Sequence, residues 1–208
     1  MTDKLRFWVG FSKVAGIGPT RLRLLLDYYG DIEAAWQANP GELRAIGLDR
    51  RSVESLARER SRVDLDAELD RLDRLNVTVL TWDSPAYPKP LTTIADPPAT
   101  LYIRGSLTSA DEFALAVVGT RRASAYGKEC TRMLARGLAE NGITVISGLA
   151  YGIDTEAHRA ALGAGGRTLA VLGCGVDIIY PAENRKLGQQ IIEQGALISE
   201  YPLGTNPD

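Results

Sequence analysis

From Phe113 onward, continuous apolar runs alternate with helical segments, and few folds accommodate that rhythm. The runs are Phe113–Val118, Ile143–Ser147, Thr168–Leu172 and Ala196–Glu200. Between them lie helical stretches over Ala125–Asn141, Asp154–Leu162 and Leu187–Gln194, closed by Gly142, Gly163 and Gly195. Strands that are apolar throughout, rather than alternating, belong to parallel sheets covered on both faces. The expected class is α/β, with a mostly parallel, doubly wound sheet over 109–208.

The preceding chain differs in character. Residues 1–74 carry periodic apolar positions mixed with as many Lys and Arg as Asp and Glu, and read as a small all-helical domain. Val14-Ala15-Gly16-Ile17-Gly18-Pro19-Thr20 sits between two helical stretches, the pattern of a helix-hairpin-helix, and Lys13, Arg21 and Arg23 flank it. Glycines there permit a tight turn and expose N–H groups to a phosphate. The same pattern also describes a packing hairpin of the sterile-alpha-motif type, which so few cations favour. Residues 75–108 hold two short strand candidates, Val77–Trp82 and Thr100–Arg104, separated by Pro85, Pro88, Pro90, Pro97 and Pro98. This segment reads as a proline-rich connector packing on the sheet domain.

In doubly wound sheets ligands bind beyond the carboxyl ends of the strands. Three such ends are legible: Val118–Ser124, Ser147–Asp154 and Gly173–Asp177. Each combines glycines with a helix start, and together they suggest a phosphate cradle. The candidate ligand-binding residues are Gly119, Thr120, Arg121, Arg122, Ser124, Ser147, Gly148 and Gly152, joined by Asn184 and Lys186 at the entry to the last helix. Net charge is only −2, so attraction for a polyanion must be local. Val117–Arg136 supplies it, with five cations (Arg121, Arg122, Lys128, Arg132 and Arg136) against the single acid Glu129. Tyr151 and Tyr180 could supply rings for base stacking.

Enzymatic signatures are sparse. No Gly-x-Gly-x-x-Gly follows the first strand, and no Walker lysine pattern occurs, which argues against dinucleotide cofactors and P-loop ATPases. The only histidine, His158, lies four residues after Asp154; capping by Asp154 and local packing of His158 account for the pair better than acid–base chemistry does. Cys130 and Cys174 read as buried free thiols, and no metal-ligand spacing is present. No catalytic residue, metal or cofactor is expected. A nucleotide hydrolase on a related fold would need a Pro-Gly-Gly-x-Gly-Thr-type loop, which is missing. No apolar run is long enough for a membrane span, and Met1–Arg6 lacks the pattern of a signal peptide, so the expected location is cytoplasmic.

Several motifs in order resemble one family, the DNA-processing protein A (DprA/Smf) proteins. They are Val118-Gly119-Thr120-Arg121-Arg122, Ser147–Asp154 with Ala157-His158, Gly166–Gly175, Ile179-Tyr180-Pro181 with Asn184, and Ser199-Glu200-Tyr201. The resemblance runs from about residue 75 to the C-terminus and more loosely through the helical region. It implies an extended Rossmann-like domain that binds single-stranded DNA without turnover. It further implies protection of incoming strands in natural transformation, loading of the RecA recombinase, and homodimerisation. By motif, Gly119 and Arg121 would line the DNA pocket, Ser147 and Gly148 would donate to a phosphate, and Asn184 and Lys186 would lie at the rim. The remaining alternatives are a nucleotide-binding enzyme and a DNA-junction binder acting through the N-terminal hairpin. Two departures stand out. Ala182 replaces a lysine that some relatives carry after Tyr-Pro, and family members continue past this C-terminus with more of the sheet, an Arg-Asn motif and often a winged-helix-like domain. The chain therefore reads as part of a longer protein, its sheet incomplete and one edge strand open.

Overall fold

A computed structural model describes residues 4–207; Met1–Asp3, within the stretch read for a signal peptide, and Asp208 lie outside them. The chain divides into two compact units, Met1–Leu101 and Tyr102–Asp208.

The first unit contains α1 (Leu5–Ser12), α2 (Pro19–Tyr29), α3 (Ile32–Gln37), α4 (Pro40–Ala45), α5 (Arg50–Arg60), α6 (Leu65–Arg74), β1 (Val77–Thr81) and the short α7 (Lys89–Thr92). Its helix starts are written in the sequence. Asp31, Asn39, Asp49 and Asp64 each accept a backbone N–H from the first turn that follows. The apolar faces close on Trp8, Phe11, Leu25, Trp36, Leu43 and Leu56, with Phe11 and Trp36 edge to face at 5.1 Å. Trp82 and Ala99, both from the proline-rich stretch, pack against this helical core.

The glycine hairpin is built for packing. Gly16 has a φ of 87°, and its carbonyl accepts from Arg21 at 2.5 Å and from the Ser52 hydroxyl at 3.1 Å. Arg21 also pairs with Asp49. Lys13 pairs with Glu68 at 2.6 Å, and the Arg23 guanidinium lies 5.0 Å from the centre of the Trp82 ring. All three cations near the hairpin are thus engaged within their own unit.

The boundary between units falls inside β2 (Thr100–Gly105). The second unit continues with β3 (Ala114–Ala116), α8 (Ala125–Glu140), β4 (Thr144–Ser147), α9 (Ile153–Gly163), β5 (Thr168–Val171), α10 (Arg185–Gln194) and β6 (Ala196–Ser199). Its strands lie in the order β2-β6-β5-β4-β3. β3, β4, β5 and β6 are parallel, and β2 runs antiparallel to β6 with Tyr102 opposite Ser199. This is the expected mostly parallel α/β sheet. β3 forms an edge, and the apolar run around it is largely exposed: Phe113 is 75% and Val118 68% accessible. Between α8, α9 and β4 the core is made of small side chains, Ala135, Ala139, Ala157 and Ala161 with Val145, so the helices approach closely.

Two polar groups fix this unit from within. At the end where β4 and β5 begin, Arg167 meets Asp111 through Nε–Oδ1 at 2.7 Å and a second nitrogen at 2.9 Å. Arg167 also donates to the carbonyls of Gln194 and Ser106, while Asp111 accepts from the Thr108 N–H and the Thr144 hydroxyl. Burial opposes ionisation of Asp111, but the guanidinium and the Thr108 N–H outweigh it and hold the carboxyl below its ordinary range. Deeper in the core, His158 is fully buried with Nδ1 2.7 Å from the Thr168 hydroxyl oxygen. That hydroxyl donates to the Val145 carbonyl at 2.7 Å, so the ring nitrogen must be the donor. The imidazole is the neutral Nδ1–H tautomer, and its Nε2 has no partner.

Two outcomes follow for stability. Arg167→Met leaves a largely buried carboxylate without its partner and should destabilise the protein by about 3 kcal/mol in denaturant titration; a change near zero would mean that the network is replaceable by solvent. Burial depresses the His158 pKa from 6.5 to about 3. Between those values the unfolded chain binds a proton that the native chain refuses. Stability should therefore be full above about pH 6.5 and fall as the pH drops, by up to about 1.4 kcal/mol per pH unit. As the chain's one imidazole, His158 gives an isolated NMR signal. In the folded protein it should stay neutral down to about pH 3, and a titration near its ordinary value would contradict the burial argument.

Candidate nucleic-acid interface

The carboxyl ends of β3 and β4 open into two loops that touch. The Ile153 N–H donates to the Thr120 carbonyl at 3.2 Å. Such proximity excludes side chains at two positions. A Cβ on Gly119 would lie 2.7 Å from Ile153 Cγ1, and one on Gly152 would meet the Thr120 carbonyl oxygen and the Arg121 backbone. Gly152 also has a φ of 77°, which glycine adopts without penalty.

The second loop is tied down from inside. Leu149 is fully buried in a left-handed conformation, φ 59°. Its carbonyl accepts from Asn184 Nδ2 at 2.9 Å, and the same amide reaches the Thr155 hydroxyl at 2.8 Å. Thr155 donates to the Ala150 carbonyl at 2.6 Å. Asp154 Oδ2 accepts from the backbone N–H of Gly148 at 3.1 Å and of Ala150 at 3.4 Å. The first loop is ordered by its own hydroxyls, with Thr120 accepting from the Arg122 N–H and Ser124 from the Gly127 N–H, each at 3.1 Å.

Between these loops lies a cavity of about 550 Å³ lined by Arg121, Arg122, Ala123, Lys128, Tyr151, Gly152 and Tyr180. Arg121 and Arg122 are exposed and Lys128 half-buried, and none of the three makes an ion pair among the described residues. Arg132, one turn further along α8, differs: it is bound to Glu156 at 2.7 Å and Glu129 at 2.9 Å. The cavity thus concentrates unneutralised positive charge beside two phenol rings.

Of the expected ligand-binding residues, Arg121, Arg122 and Gly152 meet at this cavity. Gly119 and Thr120 shape its first loop. Ser124, Ser147, Gly148 and Asn184 are committed to the fold's own hydrogen bonds; Ser147 donates to the Val117 carbonyl at 2.7 Å. Lys186 is exposed at the start of α10 and does not line the cavity. Lys128 belongs to the cationic run that the sequence displays, but its place in the site depends on α8: four residues past the Ser124 cap, it stands one turn above the first loop.

The third loop is occupied by the chain itself. The Gly175 N–H donates to the Thr205 carbonyl at 3.0 Å, and the Gly204 N–H donates to the Asp177 carboxylate at 3.0 and 3.1 Å. The expected three-loop cradle is therefore two loops plus Tyr180. Cys174 is buried with its thiol pushed up by burial, which disfavours the nucleophilic thiolate, and Cys130 is only half-buried rather than buried. Asp154 and His158 bind different partners and form no acid–base pair. No cluster of His, Cys, Asp and Glu suited to a metal occurs among the described residues, and no helix among them is long and apolar enough to cross a membrane.

Residues 78–208 match the profile described as DNA recombination-mediator protein A. The chain is 37% identical over 207 residues to protein Smf of Synechocystis, covering 97% of this chain and 52% of that protein. It is 36% identical over 195 residues to protein Smf of Escherichia coli, covering 90% and 52%. It therefore spans about half the length of these relatives. Among solved structures it resembles DNA processing protein A of Streptococcus pneumoniae, with a TM-score of 0.78 at 31% identity, covering 98% of this chain and 70% of that one. It also resembles the Helicobacter pylori protein, reported for its unique single-stranded DNA binding mode, with a TM-score of 0.57 at 35% identity, covering 64% and 60%. A profile over most of the length and a homologous fold over nearly all of it agree: the chain belongs to the DNA recombination-mediator protein A family, the DprA/Smf proteins.

Proposed function

We propose that this protein binds single-stranded DNA by its phosphates in the cavity between the first two loops, without chemical turnover, and delivers the strand to a recombinase. The observation that carries the reading is the convergence of Arg121, Arg122 and Lys128, unpaired, on one cavity of a chain whose net charge is −2. Guanidinium forks and an ammonium suit phosphate oxygens. A flexible single strand can enter a recess of this size and place its backbone there. The groups that line the recess, guanidinium, ammonium and phenol, suit contacts with the sugar-phosphate backbone, which carry no sequence information. The Helicobacter pylori relative, for which a single-stranded DNA binding mode is reported, supports the choice of ligand.

The family's description as a recombination mediator supports the second half of the reading. The partner is the RecA recombinase, and the setting is natural transformation in the cytoplasm, where incoming strands need protection before pairing. Homodimerisation belongs to the same reading. Committed polar groups argue for binding over catalysis: Asp154, His158 and Ser147 all serve the fold.

Fluorescence anisotropy with labelled single-stranded and duplex oligonucleotides, titrated with salt, tests this. Single strands should be preferred. Arg121→Ala should weaken binding and reduce the slope of log affinity against log salt by about 0.7, one single-strand phosphate contact. Preference for duplex, or indifference to Arg121, would place the DNA site elsewhere.

A further inference from the structure

Tyr151, which lines the cavity, is 41% exposed and yet fixed, for its hydroxyl donates to Glu183 Oε2 at 2.6 Å. Glu183 stands on the 3-10 turn Ala182–Asn184 beside the amide that fastens the same loop by its backbone. Two consecutive residues of one turn therefore hold the loop twice: Asn184 grips the buried main chain and Glu183 the outward ring. Tyr180 presents a second half-exposed ring to the same cavity.

The carboxylate of Glu183 is out of place on electrostatic grounds. It puts a negative charge on a neighbour of the Arg121, Arg122 and Lys128 cluster, where a polyanion would be repelled. What it provides instead is a fixed ring. A tyrosine held at its hydroxyl loses rotational freedom before any ligand arrives, so less entropy is lost on binding, and the residue remains exposed at the cavity where a flat aromatic partner could meet it.

We propose that Glu183 is a positioning residue that holds the Tyr151 ring as a stacking platform for a nucleobase next to the Arg121–Arg122–Lys128 phosphate site. The assignment rests on the single-strand reading of that cavity and adds to it a base contact beside the phosphate contacts. Stacking on an aromatic ring is indifferent to sequence, since every base has a π face.

The test uses the whole chain and two labelled probes, a short oligothymidylate and an abasic strand of the same length. Tyr151→Leu should weaken binding of oligothymidylate about tenfold and leave the abasic strand unaffected. Glu183→Ala should weaken oligothymidylate binding several-fold, whereas Glu183→Gln, whose amide oxygen still accepts from the phenol, should restore it. Tyr151→Phe should resemble Glu183→Ala, and the double variant should be no weaker than either alone. Tighter binding by Glu183→Ala would show that the carboxylate acts only as a repelling charge and would overturn the proposal. So would equal losses on both probes with Tyr151→Leu, or no loss on either. Arg121→Ala separates the two readings: if it weakens both probes while Tyr151→Leu weakens neither, the phosphate site stands and the platform falls. If the intact chain binds neither probe, both fall.

Discussion

The Ile153 N–H donating to the Thr120 carbonyl joins the two strand-end loops at backbone distance, and the local arrangement hangs on that approach. It forces glycine at 119 and 152, turns Arg121 and Arg122 outward, and leaves a recess between them and Tyr151. A backbone held so close needs support from below, and buried polar side chains supply it. Asp154 takes two N–H groups, Thr155 and Asn184 serve two carbonyls, and Ser147 serves a third. At this site the buried polar side chains keep the shape, while Arg121, Arg122 and Lys128 keep their charge for a ligand.

That division explains what was legible in the sequence. The βαβ rhythm could be read because strand runs and Gly142 as a helix stop are local signals. Arg121 and Arg122 could be read because a strand end is where a doubly wound sheet binds ligands. Ser147, Gly148 and Asn184 occur at equally suggestive places, but a sequence shows that a donor exists and not where its hydrogen bond goes. The reversed direction of β2, and the 202–205 segment covering the loop after β5, are likewise long-range pairings with no local signature. Lys128 and Tyr180 reach the site from separate elements, and only the packed chain brings them together.

Electrostatics favours a local design over a global one. A strongly basic chain would hold any polyanion, duplex included, and solution salt would screen much of that attraction. Here acids and bases nearly cancel, and along α8 the cancellation is deliberate: Arg132 is neutralised by Glu129 and Glu156, while Lys128, one turn earlier, is not. Lys128 instead joins Arg121 and Arg122 in the recess beside Tyr151 and Tyr180.

The division into two units has an optical consequence. All three tryptophans, Trp8, Trp36 and Trp82, lie within Met1–Leu101, and the cavity's aromatic residues are tyrosines. Light absorbed only by indole therefore reports on the helical unit, and an emission trace followed through heating or denaturant describes half of the molecule. The sheet unit is silent at those wavelengths. A tryptophan introduced at an exposed position such as Met133 would give it a signal of its own, and the two halves could then be watched losing structure together or in turn.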